Sequence, residues 1–242
     1  VYTPSILIYA DTKFGKTTAV YRALNPVATG WIVGEPGALD GCIDPDLNPW
    51  RDGSGKPAKP VWSIECLSAV KPSLQMINAA QQAIALMRSG KIGALVFDGL
   101  TSYLLREITY VVEVEKTAEN YGKAAKLVAR RFRQFMLPIL EACSVNAVPF
   151  VTIAHKNKGP MTIEDTFTPG AADTPNQLLR EVPAMFSTVI RLDVRSGKRI
   201  VCCDPLDIRY ITGDRFNVVK DGEEADLKAI IGRMIKKVRE AQ

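Results

Sequence analysis

Ser5-Ile6-Leu7-Ile8-Tyr9-Ala10-Asp11-Thr12-Lys13-Phe14-Gly15-Lys16-Thr17-Thr18 sets a run of apolar β-formers against a polar turn, and that turn against a segment, Thr17 to Leu24, that reads as a helix. Strand, loop and helix in this order bring unpaired N–H groups and the positive end of a helix dipole to the loop, the geometry that cradles phosphates. The loop from Ala10 to Thr17 fits G-x-x-x-x-G-K-[ST] at every fixed position but the first, where alanine replaces glycine. Gly15 lets the backbone approach a ligand. Lys16 would reach the β- and γ-phosphates of ATP, the Thr17 hydroxyl would complete a Mg²⁺ shell, and Thr18 offers a second hydroxyl near the α-phosphate. Ala10, Asp11, Thr12, Lys13, Phe14, Gly15, Lys16, Thr17 and Thr18 are therefore the candidate nucleotide-binding loop. Alanine at position 10 is unstrained only if its φ is negative, which the sequence leaves open. A G-K-T-T that merely starts a helix is the plain alternative.

Working outward, apolar runs at Trp31 to Val33, Ile92 to Phe97 and Pro149 to Ala154 read as buried strands, and Val61 to Glu65 is a candidate short strand. Helical spacing is expected over Ser73 to Arg88, Ser102 to Glu115 and Tyr121 to Cys143, the last with a bend or end near Pro138, which lacks the N–H a helix interior uses. Alternating strands and helices imply right-handed crossovers and a mostly parallel sheet flanked by helices. The Pro/Gly/Asp-rich stretch from Glu35 to Pro60 reads as a long irregular excursion. The last third changes character: Phe186 to Val194, Arg199 to Cys203 and Ile208 to Thr212 look like strands joined by turns at Ser196-Gly197 and Asp204-Pro205, followed by a helix from Glu223 to Glu240. The expected fold class is thus α/β with a C-terminal antiparallel hairpin extension, in one domain spanning residues 1–242.

Hydrophobic residues at 47% and charged residues at 24% exclude disorder, collagen-like repeats and a coiled coil. No apolar stretch approaches the roughly 18 residues of a membrane helix, and no signal-peptide pattern opens the chain, so a cytoplasmic location without membrane contact is expected. The chain opens at Val1 and enters a strand within a few residues, which leaves room for a preceding segment of unknown content. Five cysteines without a C-x-x-C pair or a histidine cluster suggest reduced, buried thiols rather than a zinc site or disulfides. The net charge of +5 permits a polyanionic partner without demanding one.

Ala94-Leu95-Val96-Phe97-Asp98 is an apolar strand ending in a carboxylate, as a Walker B element requires, and Asp98 would hold Mg²⁺ through water. An aspartate there would equally cap the helix beginning near Thr101. Trp31-Ile32-Val33-Gly34-Glu35-Pro36-Gly37-Ala38-Leu39-Asp40 resembles the RecA-family segment in which a strand ends in the catalytic glutamate, and Val96-Phe97-Asp98-Gly99-Leu100-Thr101-Ser102 resembles the Walker B of RecA and RadA relatives, with Gly99 where serine is usual. The resemblance implies that Glu35 activates the attacking water, an ordinary loop glutamate being the alternative. It implies too that His155, the only histidine and the end of Phe150-Val151-Thr152-Ile153-Ala154, senses the γ-phosphate. A lone histidine is as readily a plain core or surface residue. Ile211-Thr212-Gly213-Asp214-Arg215-Phe216 resembles the Lys-x-Arg finger of DnaB and RadA-type proteins that reaches a neighbouring subunit's nucleotide. Arg215 matches the arginine, and Gly213 stands where the lysine would be. A surface arginine is the alternative, with Arg209 as a second candidate.

Residues 5–220, including Leu178-Leu179-Arg180-Glu181-Val182-Pro183-Ala184-Met185-Phe186, resemble the bacteriophage RecA-like P-loop ATPases of the RecA/RadA superfamily, the group that contains single-strand-annealing recombinases. That resemblance implies a RecA-like core, Mg²⁺-dependent ATP hydrolysis stimulated by DNA, head-to-tail assembly into a ring or filament, a recombination or replication partner protein, and a place in the host cytoplasm if the protein is phage-encoded. It also places a second DNA-contacting loop at Lys156 to Pro175, where Lys156 and Lys158 would pair phosphates and Phe167 is the only aromatic. Lys123, Lys126, Arg130, Arg131 and Arg133 form a denser basic region, with positions 123, 126 and 130 on one helical face: a phosphate track for single-stranded DNA, or a solvated surface. The competing expectation is a nucleotide-gated assembly module with little or no hydrolysis. A small-molecule nucleotide kinase is weaker, because no arginine-rich lid follows the core.

Overall fold

Ser5–Ala10 (β1) is buried along its whole length, which is what a strand covered on both faces requires. Its side chains alternate between faces: Leu7 and Tyr9 enter one core cluster, and Ile6, Ile8 and Ala10 enter the other. The computed structural model describes residues 3–11, 13–116, 121–155, 182–204 and 212–240. From β1 the chain passes through Lys16–Ala23 (α1), Thr29–Val33 (β2), the short helix Asp40–Ile43 (α2), Trp62–Glu65 (β3), Pro72–Arg88 (α3), Ala94–Asp98 (β4), Leu100–Thr109 (α4), Tyr121–Val145 (α5) and Phe150–His155 (β5). It continues through Thr188–Arg195 (β6), Lys198–Cys202 (β7), Gly213–Asp214 (β8) and Leu227–Glu240 (α6).

The strands form one sheet in the order β3-β2-β4-β5-β1-β6-β7, with β8 on β6. All pairs from β3 to β6 are parallel, whereas β7 and β8 run antiparallel to β6. The architecture is therefore α/β with a mostly parallel sheet and an antiparallel addition at one edge, as expected. Helices α3, α4 and α5 cover one face, where Phe97, Tyr103, Phe132 and Phe135 meet largely edge to face at centroid separations of 5.2–6.4 Å. Helices α1 and α6 cover the other, where Tyr21 stacks on Trp31 at 4.5 Å. All five cysteines are buried free thiols. No helix among the described residues is long and apolar enough to cross a membrane.

Several boundaries differ from expectation for physical reasons. Helix α5 does not end near Pro138: it continues to Val145, because Ile139, Ala142 and Cys143 beyond the proline are buried against α3 and the sheet. The lost hydrogen bond is outweighed by that packing. Helix α4 gives way to a wider π turn over Tyr110–Val114 instead of running regularly to Glu115. The expected strand at Ile208 to Thr212 lies outside the described residues save for Thr212, and the short strand observed is Gly213–Asp214. The C-terminal helix starts at Leu227, where Asp226 accepts the Ala229 N–H at 3.0 Å and so caps it. Arg131 does not belong to a basic surface track. It lies between the carboxylates of Glu107 (2.8 Å) and Glu115 (2.6 Å), and the fully buried Glu107 also accepts the Ser73 N–H in the first turn of α3.

Candidate functional site

In a parallel sheet every strand delivers its last residue to the same edge, so neighbouring strands bring their tips together. Here β2, β4, β5 and β1 are neighbours, and the residues at or just past their ends are Glu35, Asp98, His155 and the loop after Ala10. Together they line a cavity of about 370 Å³ with Lys13, Gly15, Lys16, Thr17 and Thr18.

The loop is shaped by its backbone. Ala10 completes β1 paired with His155, and it is not among the positive-φ residues, so alanine sits there without strain. Lys13 and Gly15 take the left-handed conformation instead, at φ 65° and 73°. The first N–H groups of α1 have no carbonyl a turn earlier within the helix and face the loop. Phe14 turns away and packs against the α1 face of the core. Asp11 contributes its carbonyl oxygen, and Thr12 lies outside the described residues.

Lys16 is only 4% exposed, and each of its ammonium hydrogens has an acceptor: Ala10 O at 3.0 Å, Asp11 O at 2.8 Å and His155 Nδ1 at 3.2 Å. Because the ammonium offers only donors, Nδ1 accepts and the imidazole proton sits on Nε2, which faces Glu35 Oε2 at 2.5 Å. Lys16, His155 and Glu35 thus form one chain. Burial lowers the Lys16 pKa to about 8 against the opposing pull of Asp98, Glu35 and Asp11. The hydrogen bond from His155 holds the Glu35 carboxyl below its usual range. Thr17 Oγ1 donates to Asp98 Oδ2 at 2.7 Å, and burial pushes the Asp98 carboxyl up to about 6. A hydroxyl beside a buried carboxylate, next to a phosphate-type loop, is a donor set for a hard divalent cation. Among the described residues no group of three or more His, Cys, Asp or Glu side chains could hold a metal by itself.

Three features hold these tips in place, and the sequence marked only the first of them. Gly99, at φ 104°, is pressed against the end of β2: a Cβ there would lie 2.5 Å from the Gly34 carbonyl carbon and 2.7 Å from Glu35 N. Glycine is required at 99 for space as well as for φ. Thr101 Oγ1 accepts the His155 N–H at 2.9 Å and donates to the His155 carbonyl at 3.2 Å, clamping the end of β5. Arg106 on α4 donates to Gly34 O at 2.8 Å and to Cys66 O at 2.9 Å, tying the ends of β2 and β3 beneath Glu35.

The other candidates fall elsewhere. Arg215 is exposed and donates to Ala184 O at 3.0 Å beside the start of β6, at the amino edge of the sheet and away from the Lys16 cavity of its own chain. Lys126 and Arg130 are exposed on α5. Arg209, Lys156, Lys158, Phe167 and the 173–181 stretch lie outside the described residues.

Gly99→Ala should cost about 2 kcal/mol or more in chemical denaturation, since the added methyl meets backbone that cannot yield without moving Glu35. A midpoint equal to wild type would refute the close approach of β2 and β4. No family model matches the chain, and no curated protein shows significant similarity to it, so the site's meaning rests on its own geometry and chemistry.

Proposed function

We propose that the protein is a Mg²⁺-dependent ATPase with a RecA-like core that acts on single-stranded DNA in phage-type recombination, annealing or replication. The observation that carries this reading is the Lys16–His155–Glu35 chain lying beside the Thr17–Asp98 pair at the start of α1. A buried ammonium held by two loop carbonyls and an imidazole can exchange those partners for phosphate oxygens, which bind it more strongly.

Thr17 and Asp98 would hold Mg²⁺, which when bound neutralises charge on the β- and γ-phosphates. Lys16 leaves the loop carbonyls for those phosphates, which frees His155 Nδ1 to report that the terminal phosphate is in place. Glu35, at the far side of His155, orients a water and takes its proton as the water oxygen attacks the γ-phosphorus. The bond from phosphorus to the bridging oxygen breaks, and ADP departs with that electron pair. Arg106 positions Glu35 through the Gly34 carbonyl. The exposed Lys126 and Arg130 supply positive charge for a nucleic-acid backbone. Arg215, at the opposite edge of the sheet, could meet a nucleotide only in a second copy, so turnover is expected to be slow until copies assemble head to tail.

The test is steady-state ATP hydrolysis with and without single-stranded DNA. Wild type should be stimulated by DNA, Lys16→Ala should lose binding and turnover, and Glu35→Gln should lose turnover at least a hundredfold while still binding ATP. Tight binding without turnover under either condition would contradict the ATPase reading and favour a nucleotide-gated assembly module. The pH dependence has a definite sign. The charged form of Lys16 binds phosphate and burial lowers its pKa to about 8, so ATP affinity should be flat near pH 7, about twofold weaker at pH 8 and about tenfold weaker at pH 9. Affinity that rises above pH 8 would rule out Lys16 as the phosphate ligand.

A further inference from the structure

The β6–β7 hairpin overshoots the edge of the sheet. Pairing of β6 with β1 reaches Arg191 opposite Tyr9, while β6 itself runs on to Arg195 before the tight turn at Ser196-Gly197, both residues with positive φ. On the returning strand Arg199 pairs with Val194, and its carbonyl accepts the Ala225 N–H at 3.0 Å, so its backbone is fixed from both sides. Its side chain lies on the phosphate-type loop. A Cβ built on Gly15 would meet Arg199 Nη1, Cζ and Nη2 at 3.0, 3.1 and 3.1 Å, which means the flat guanidinium faces the Gly15 α-carbon. The side chain is exposed, and it has no hydrogen-bond or ion-pair partner among the described residues. An arginine laid on an anion-binding loop with its N–H groups uncommitted is a ligand donor in waiting.

The direction of a bound nucleotide follows from the two sides of the loop. Glu35, Asp98 and His155 stand on the β2–β4–β5 side, where the terminal phosphate belongs, and Arg199 stands on the β6–β7 side. A second cavity, of about 590 Å³, opens there between α1, the hairpin and the start of α6, lined among others by Thr18, Arg22, Leu192, Arg199 and Asp226. It shares Thr18 with the first cavity, so the two adjoin at the loop. Resting on the nucleotide-binding reading above, we infer that Arg199 is a nucleotide ligand in cis: it binds the phosphate nearest the nucleoside, and the nucleoside occupies the cavity beyond it.

Calorimetric titration of MgATP and MgADP into wild type, Arg199→Ala, Arg199→Lys and Lys16→Ala tests this. Arg199→Ala should bind ATP and ADP about tenfold more weakly, by the same factor for both, because the contacted phosphate is common to them. Arg199→Lys should recover part of the loss, and the ligand-free melting temperature of Arg199→Ala should match wild type because the side chain is exposed. Unchanged affinity in Arg199→Ala beside lost binding in Lys16→Ala would overturn the role of Arg199 and leave the nucleotide reading standing. A loss confined to ATP would overturn the assignment to the inner phosphate. Absence of binding by wild type would overturn both readings together.

Discussion

A lysine ammonium shut away from water has to be solvated by the protein around it, and the arrangement of Lys16 meets that demand in full. Its acceptors are two loop carbonyls and a ring nitrogen from another strand, so loop, helix α1 and strand β5 are fixed relative to one another by one charge. Removing any acceptor would leave a buried donor without a partner, a cost of about 1–3 kcal/mol. The same condition would make the site responsive under the proposed function: an anion that supplies better acceptors would release the carbonyls and the imidazole together.

The parallel sheet makes this possible by collecting side chains from segments far apart in sequence. Glu35 and His155 are 120 residues apart and meet because β2, β4 and β5 are neighbours that end at one edge. Between β2 and β4 the fit depends on glycine facing glycine: a Cβ on Gly99 would collide with the backbone of Gly34 and Glu35, and one on Gly34 would sit tightly at 3.0 Å from the Gly99 carbonyl oxygen. Beneath that contact Arg106 ties two strand ends, and above it Thr101 fastens β5. The end of the cavity between β2 and β4 is thus built from small residues and backbone, and Lys16, His155 and Glu35 are held there by one another.

Much of this was legible in the sequence because the signals were local. An apolar run followed by G-K-T announces strand, loop and helix, and apolar runs ending in Asp98, in Gly34-Glu35 and in His155 place those side chains at strand tips. What could not be read was set by long-range partners. Arg106 acts on a carbonyl 72 residues away, and Thr101 on a strand 54 residues away, with no local pattern to mark either. Arg131 shares helical spacing with exposed basic residues, and only the fold reveals that carboxylates from the preceding helical segment claim it. Pro138 gave a misleading local signal, because burial of the residues after it outweighs one missing hydrogen bond. Arg199 escaped notice for a related reason: its significance lies in a contact with Gly15 that pairing of the hairpin with β1 creates.

The most direct measurement is a crystal structure of the protein with MgADP and a γ-phosphate mimic. In that complex Lys16 Nζ should lie on the β- and γ-phosphate oxygens and no longer on the Ala10 and Asp11 carbonyls, with Thr17 and Asp98 at the metal and Glu35 facing the mimic. A nucleotide bound elsewhere, or one bound at this loop with Lys16 still on its carbonyls and His155, would contradict it.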